Sequence, residues 1–143
     1  THTTAGVAVA CLQGGLSQSN FYSAQLHDMV AYHDFEGITI HADEGPRVLQ
    51  SIGHKPAVIL RNHGLLTVGR TVGEAFNWMH RLESSCRAQL AAMACNTPLQ
   101  EVSPAVLEET YMNYQPQTRR PYGLMEWPGL LRMVERMDPS FRD

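Results

Sequence analysis

The chain is poor in charge, in cysteine and in long apolar runs, and each shortage removes a class of function. Only 17% of its 143 residues are charged and the formal net charge is −3. A chain of that balance has no basic footprint for nucleic-acid phosphates or anionic lipid surfaces, so neither nucleic acid nor membrane is an expected partner. The three cysteines, Cys11, Cys86 and Cys95, are odd in number and unclustered. They do not build a disulfide framework and read as free buried thiols of a reducing, cytoplasmic protein. No apolar stretch approaches 18 residues, and no signal-like segment is present. Also missing are the G-x-S-x-G elbow, the phosphate-binding P-loop, the G-x-G-x-x-G fingerprint and the C-x-x-C pair. Repeats and low-complexity tracts are absent too.

What is present is enough hydrophobic matter (43%) to build the core of one domain of ordinary size. Its organising stretch runs from Ala57 to Cys95. Ala57-Val58-Ile59-Leu60 is a short apolar run of the kind buried on both faces of a sheet. Arg61-Asn62-His63-Gly64 interrupts it, and Leu65-Leu66-Thr67-Val68 resumes it, which predicts a hairpin or a strand bent at one polar point. Thr71 and Glu74 form a T-x-x-E capping box, so a helix is expected from about Val72. Val72, Ala75, Phe76, Met79, Leu82, Cys86, Leu90 and Met93 give it an apolar stripe over about six turns. Asn96 and Pro98 are its stop.

Earlier in the chain, Thr3 or Thr4 is expected to cap a small-residue helix ended by Gly14-Gly15. Ser17 or Ser19 is expected to cap a short helix through Phe21, Ala24, Gln25 and Met29. Val30 to Phe35 reads as a strand with Ile38-Thr39-Ile40 as an extended continuation after Glu36-Gly37. Asp43 to Ile52 reads as a helix with Val48, Leu49 and Ile52 inward and its start delayed by Gly45-Pro46. After Asn96 the predictions are a helix capped by Ser103-Pro104, a polar linker over 115–121, and a terminal amphipathic helix carrying Leu130, Leu131, Val134 and Met137. Helices alternating with strands predict a layered α/β arrangement, with strand directions left open.

Seven histidines pose the chemical question: His2, His27, His33, His41, His54, His63 and His80. None forms an H-x-H or H-x-x-x-H pair, so spacing alone establishes no metal site. His63 lies in a polar break beside a glycine that permits close approach of backbone or ligand, where a ligand and a turn-satisfying histidine are equally good readings. For His2 a solvated terminal residue is the simpler reading. His33 suits a hydrogen-bonded core position. His27, His41, His54 and His80 suit loops and exposed faces. The charges at Arg81, Glu83 and Arg87 fit a solvated helix face.

Three runs together resemble the class II aldolase/adducin family: His2-Thr3-Thr4-Ala5-Gly6-Val7-Ala8-Val9-Ala10, then Tyr32-His33-Asp34-Phe35-Glu36-Gly37, then Ile59-Leu60-Arg61-Asn62-His63-Gly64-Leu65-Leu66-Thr67-Val68-Gly69, followed by Glu74-Ala75-Phe76. The resemblance covers residues 1–97. It implies a three-layer αβα sandwich of which this chain is the C-terminal part, the N-terminal part preceding Thr1, with residues 98–143 as a helical extension. It also implies a divalent metal, zinc first and manganese second, held by three histidines. His63 matches the ligand that follows a buried strand, and His2 matches the second member of an H-x-H pair whose first member falls two residues earlier. The catalytic acid is expected upstream as well. An enzyme of this kind is a metal-dependent lyase that stabilises an enediolate from a small hydroxycarbonyl or sugar-derived substrate. The second and third runs look closer to adducin heads, and that branch implies a non-catalytic oligomerising scaffold. Either branch implies a homo-oligomer, usually a tetramer, joined to the missing N-terminal part.

Overall fold

A computed structural model describes residues 1–38 and 43–142. Its centre is a three-stranded sheet in the order β1 (Val30–His33), β2 (Ala57–Leu60), β3 (Gly64–Thr67). β1 pairs with β2 in parallel, with Val30 opposite Ala57 and His33 opposite Leu60. β2 turns back on β3 as an antiparallel hairpin, with Leu60 opposite Gly64. Of the two readings of the Arg61–Gly64 break, the hairpin is therefore correct.

Side chains on β2 alternate between two apolar layers, as strand geometry requires. Ala57 and Ile59 join Val9, Leu26, Leu65, Trp78, Leu82 and Cys86 on one face. Val58 joins Ala31 and Ile52 on the other. The first face is covered by α1 (Thr4–Ala10) and α4 (Val72–Met93), with α2 (Phe21–Ala24) packed on α4, and the second by α3 (Glu44–Ile52). That is the expected three-layer αβα sandwich. Ala57, Val58 and Ile59 are all fully buried, and burial of a Val or Ile side chain contributes about 1.5–3 kcal/mol. The apolar run thus belongs to the middle strand.

Local signals place most helix ends. Thr3 caps α1 through Gly6 N–H, although the helix ends at Ala10, short of the glycine pair. α2 is capped by Asn20 and not by a serine, and it stops at Ala24. The Asn20 carboxamide takes Tyr22 and Ser23 N–H at 3.0 Å, and Ser23 Oγ accepts from Asn20 N–H in return. Gly45-Pro46 does not delay α3, because both fit its first turn, where a missing N–H costs nothing. Of its predicted inward residues Ile52 is buried, while Leu49 is 69% exposed. The expected strand continuation at Ile38–Ile40 and His41 lie outside the described residues, Ile38 excepted, and Ile38 is exposed.

The start of α4 is as expected and its face is not. Thr71 Oγ1 accepts Glu74 N–H at 3.1 Å, but the Glu74 carboxylate reaches Arg70 N–H and leaves the capping box half made. Gly73, Asn77, Trp78, Leu82, Ser85, Cys86 and Gln89 are the buried positions, whereas Val72, Phe76 and Met93 are exposed. The rotated stripe takes Gln89 inside, where it donates to Gly15 C=O and accepts from Ser17 N–H. Asn96, in the left-handed region at φ 53°, follows its last turn. Cys86 is buried, but Cys11 and Cys95 are exposed, which corrects the expectation of buried thiols.

The C-terminal residues form α5 (Pro104–Asn113), capped by Ser103 as predicted, and α6 (Glu126–Met137), followed by a 3₁₀ turn at Pro139–Arg142. The chain reaches α4 through Gly123, where a Cβ would overlap the Gly73 backbone. Beside this contact the Tyr122 ring meets Trp78 at 4.4 Å and Tyr114 at 5.4 Å. No residue of α6 is fully buried, so the predicted amphipathic stripe is only partly covered. Among the described residues no helix is long and apolar enough to cross a membrane.

Candidate metal centre

The Arg61–Gly64 turn is held from three directions. Arg61 N–H donates to His33 C=O at the end of β1 (2.8 Å), Asn62 N–H to Ala10 C=O at the end of α1 (3.0 Å), and His63 N–H to Leu60 C=O (3.0 Å). Asn62 takes the left-handed conformation at φ 57°, which Asn tolerates better than other side chains. The Arg61 guanidinium covers the Tyr32 ring at 4.6 Å and donates to Gln13 C=O. Its positive charge is spent on this scaffold. The turn is therefore rigid, and His63 projects from a fixed backbone.

His2 arrives by another route. Thr1 and Leu65 exchange both backbone hydrogen bonds, Thr1 N to Leu65 O at 2.6 Å and Leu65 N to Thr1 O at 3.0 Å. The pair holds Thr1 alongside β3. Gly64 makes the approach possible, because a Cβ there would overlap the Thr1 carbonyl oxygen. The consequence is that the His2 and His63 rings stack at 4.8 Å with an interplanar angle of 14°. Residues far apart in sequence thus meet through one glycine and two hydrogen bonds. A cavity of about 270 Å³ lies alongside, lined by both rings, Leu66, Thr67 and Met79.

Residues 1–90 match the family described as Class II Aldolase and Adducin N-terminal domain. The chain belongs to this family. An aldolase II superfamily protein from Pseudomonas syringae superposes with a TM-score of 0.91 at 35% identity, over all of this chain and 57% of that one. L-fuculose 1-phosphate aldolase from Glaciozyma antarctica PI12 superposes with a TM-score of 0.77 at 26% identity, over 98% of this chain and 51% of the other. Alpha-adducin from Mus musculus is 42% identical over 94 residues, 65% of this chain and 13% of that protein. The chain spans little more than half (55% and 56%) of the length of two bacterial relatives that match nearly all of it.

Within the family fold, three other histidines have side-chain partners. His33 bonds Ser51 Oγ and lies 3.5 Å from Glu36, as its core reading anticipated. His27 bonds Gln18, and His80 stacks on Phe76. Among the described residues no three His, Cys, Asp or Glu side chains come close enough to hold an ion. His2 and His63 alone are fewer groups than a complete metal site needs. Two groups at this site were not anticipated as members. Phe35 sets its ring against His63 at 6.2 Å and 75°, and the Met79 thioether Sδ accepts from Thr1 Oγ1 at 3.4 Å. The Phe35 signal was its place in the second resembling run. Met79 was visible only as a member of the helix stripe.

Proposed function

We propose that this chain supplies part of the metal centre of a lyase acting on a small hydroxycarbonyl or sugar-derived compound, with His2 and His63 as two of the ligands. The observation that carries the reading is the stacked His2–His63 pair on a backbone braced by Thr1, Leu65, Leu60 and His33. Likeness to an L-fuculose 1-phosphate aldolase over 98% of the chain supports it, since class II aldolases generally depend on a divalent metal. Neutral imidazoles suit zinc, with manganese as the second candidate. When bound, such an ion polarises a substrate carbonyl and stabilises the negative charge that develops on its oxygen. The chain's own part would be to hold the two imidazoles side by side, a role the hairpin and the Thr1–Leu65 pair support. The third imidazole and the proton-transferring acid belong, on the family resemblance, to sequence N-terminal of His2. Residues 1–97 would form this catalytic unit and 98–143 a helical extension. The exposed apolar residues Val72, Phe76, Leu124, Met125 and Met137 suit association with further copies in a cytoplasmic homo-oligomer, as in the tetramers the resemblance implies.

A second reading follows from the 42% identity to alpha-adducin: an adducin-like scaffold that oligomerises without catalysis. Metal content separates the two. The full-length protein is expected to bind about one divalent ion per subunit and the His63→Ala variant none. An absence of bound ion in both, after zinc and manganese are supplied, refutes the lyase and leaves the scaffold.

A further inference from the structure

We infer that His33 and Glu36 form a clasp that sets the position of Phe35 against His63, so that protonation at the end of β1 is felt at the candidate site. His33 is the last residue of β1 and only 8% exposed. Its Nδ1 lies 2.9 Å from Ser51 Oγ on α3. Its Nε2 is buried without a hydrogen-bond partner and faces Glu36 Oε1 at 3.5 Å. Glu36 is fixed in turn by Arg47, one turn before Ser51 on α3, whose Nε donates to both carboxylate oxygens at 2.9 Å. Arg47 Nη1 holds Asp43 at 2.8 Å. The chain from His33 to Glu36 is thus tied to α3 at both ends. Phe35 sits between the ties, and its ring is the one that meets His63.

The 3.5 Å gap is where the response arises. With His33 neutral and its proton on Nε2, Ser51 donates to Nδ1 and Nε2–H faces the carboxylate at 3.5 Å, long for a hydrogen bond. With His33 protonated, Nε2–H becomes a charged donor to that carboxylate, a contact that is shorter and stronger. The groups facing His33 are Asp34 and Glu36 from its own strand end, Arg47, Gln50 and Ser51 from α3, and Arg61 from the hairpin turn, which bonds His33 C=O and pairs with Asp34 at 3.6 Å. Asp43 faces it only through Arg47. Arg47 opposes a proton on His33 but is neutralised by Glu36 and Asp43. Its hydrogen bonds to Glu36 hold that carboxyl below its usual range, which keeps a carboxylate facing Nε2. Protonation then draws Glu36 toward β1 and presses Phe35 onto His63.

The test uses the full-length protein stripped of metal with a chelator, so its outcome does not depend on whether His63 holds an ion. The ring protons of His33 and His63 are followed by NMR between about pH 5 and 8, where histidine titrates. Ring-current displacement of the His63 signals, identified by its loss in Phe35→Leu, is expected to show a second inflection at the His33 midpoint. Glu36→Gln and His33→Gln should each remove that inflection, and Glu36→Asp, which keeps the charge, should retain it. Two variants are needed because either one alone can fail to fold, which a thermal melt reveals. A His63 titration in the parent that lacks the second inflection, or one that survives unchanged in a folded Glu36→Gln or His33→Gln protein, overturns the clasp.

Discussion

Replacing Gly64 by alanine tests the joint that brings the two imidazoles together. The added Cβ would overlap the Thr1 carbonyl oxygen, so the Thr1–Leu65 pair must open. Two backbone hydrogen bonds of 2.6 and 3.0 Å would be lost or stretched, at a net cost of about 0.5–1.5 kcal/mol each. If the chain yields by moving Thr1 into solvent, the loss stays near the lower end. If Leu65, which is 1% exposed, holds the pair in place, overpacking strain of about 1–3 kcal/mol is the alternative cost. The two routes together bracket a destabilisation of about 1–3 kcal/mol, or about 2–12 °C in melting temperature for a chain of this size. His2 should also leave His63, seen as loss of the nuclear Overhauser contacts between their rings and at least a tenfold fall in divalent-metal affinity, equivalent to about 1.4 kcal/mol. A Gly64→Ala protein that melts within about 1 °C of the parent and keeps the ring-to-ring contacts would show that Gly64 does not gate the pair.

Two further outcomes check the core. Leu82→Ala, at a fully buried position, should cost about 2–5 kcal/mol in denaturant unfolding, whereas Leu49→Ala, at a position 69% exposed, should stay within about 0.5 kcal/mol; equal costs would refute the packing of α3 and α4 described above. Burial, with a smaller contribution from Glu83, pushes the Cys86 thiol up to about 12. Thiolate is the reactive form, so at mildly alkaline pH Cys11 and Cys95 should react with a disulfide reagent and Cys86 only after unfolding. The folded value lies above the unfolded value of about 8.5, so the associated stability is complete below that pH and is lost as pH rises toward 12. A fast third thiol in the native protein contradicts the burial.

Apolar composition was legible wherever it had one interpretation. Ala57–Leu60 could only be an interior strand, and Ser103-Pro104 and Thr71 could only start helices, because these are local properties of a few side chains and their own backbone. The face of α4 was misread for the opposite reason. A stripe of Val72, Phe76 and Met93 is as periodic as one of Trp78, Leu82 and Cys86. The second could be buried with Gln89 on it, whose amide is satisfied by Gly15 and Ser17. Satisfaction of a buried amide depends on a loop more than seventy residues away, and no window of sequence contains it. Leu49 was misread in the same way: its helix is correct, but its side chain is exposed.

His63 was marked out in the sequence by its polar break, its glycine and its family run. His2 stood out by resemblance alone. That the two stack, and that Phe35 joins them, was decided by the fold. Sequence periodicity determines which segments are strands and helices, since that is settled by side-chain pattern and capping within a few residues. The meeting of His2 with His63 requires a hairpin turn, a Thr1–Leu65 pair and a missing Cβ at Gly64 to coincide in space, and only the packed sheet imposes that coincidence.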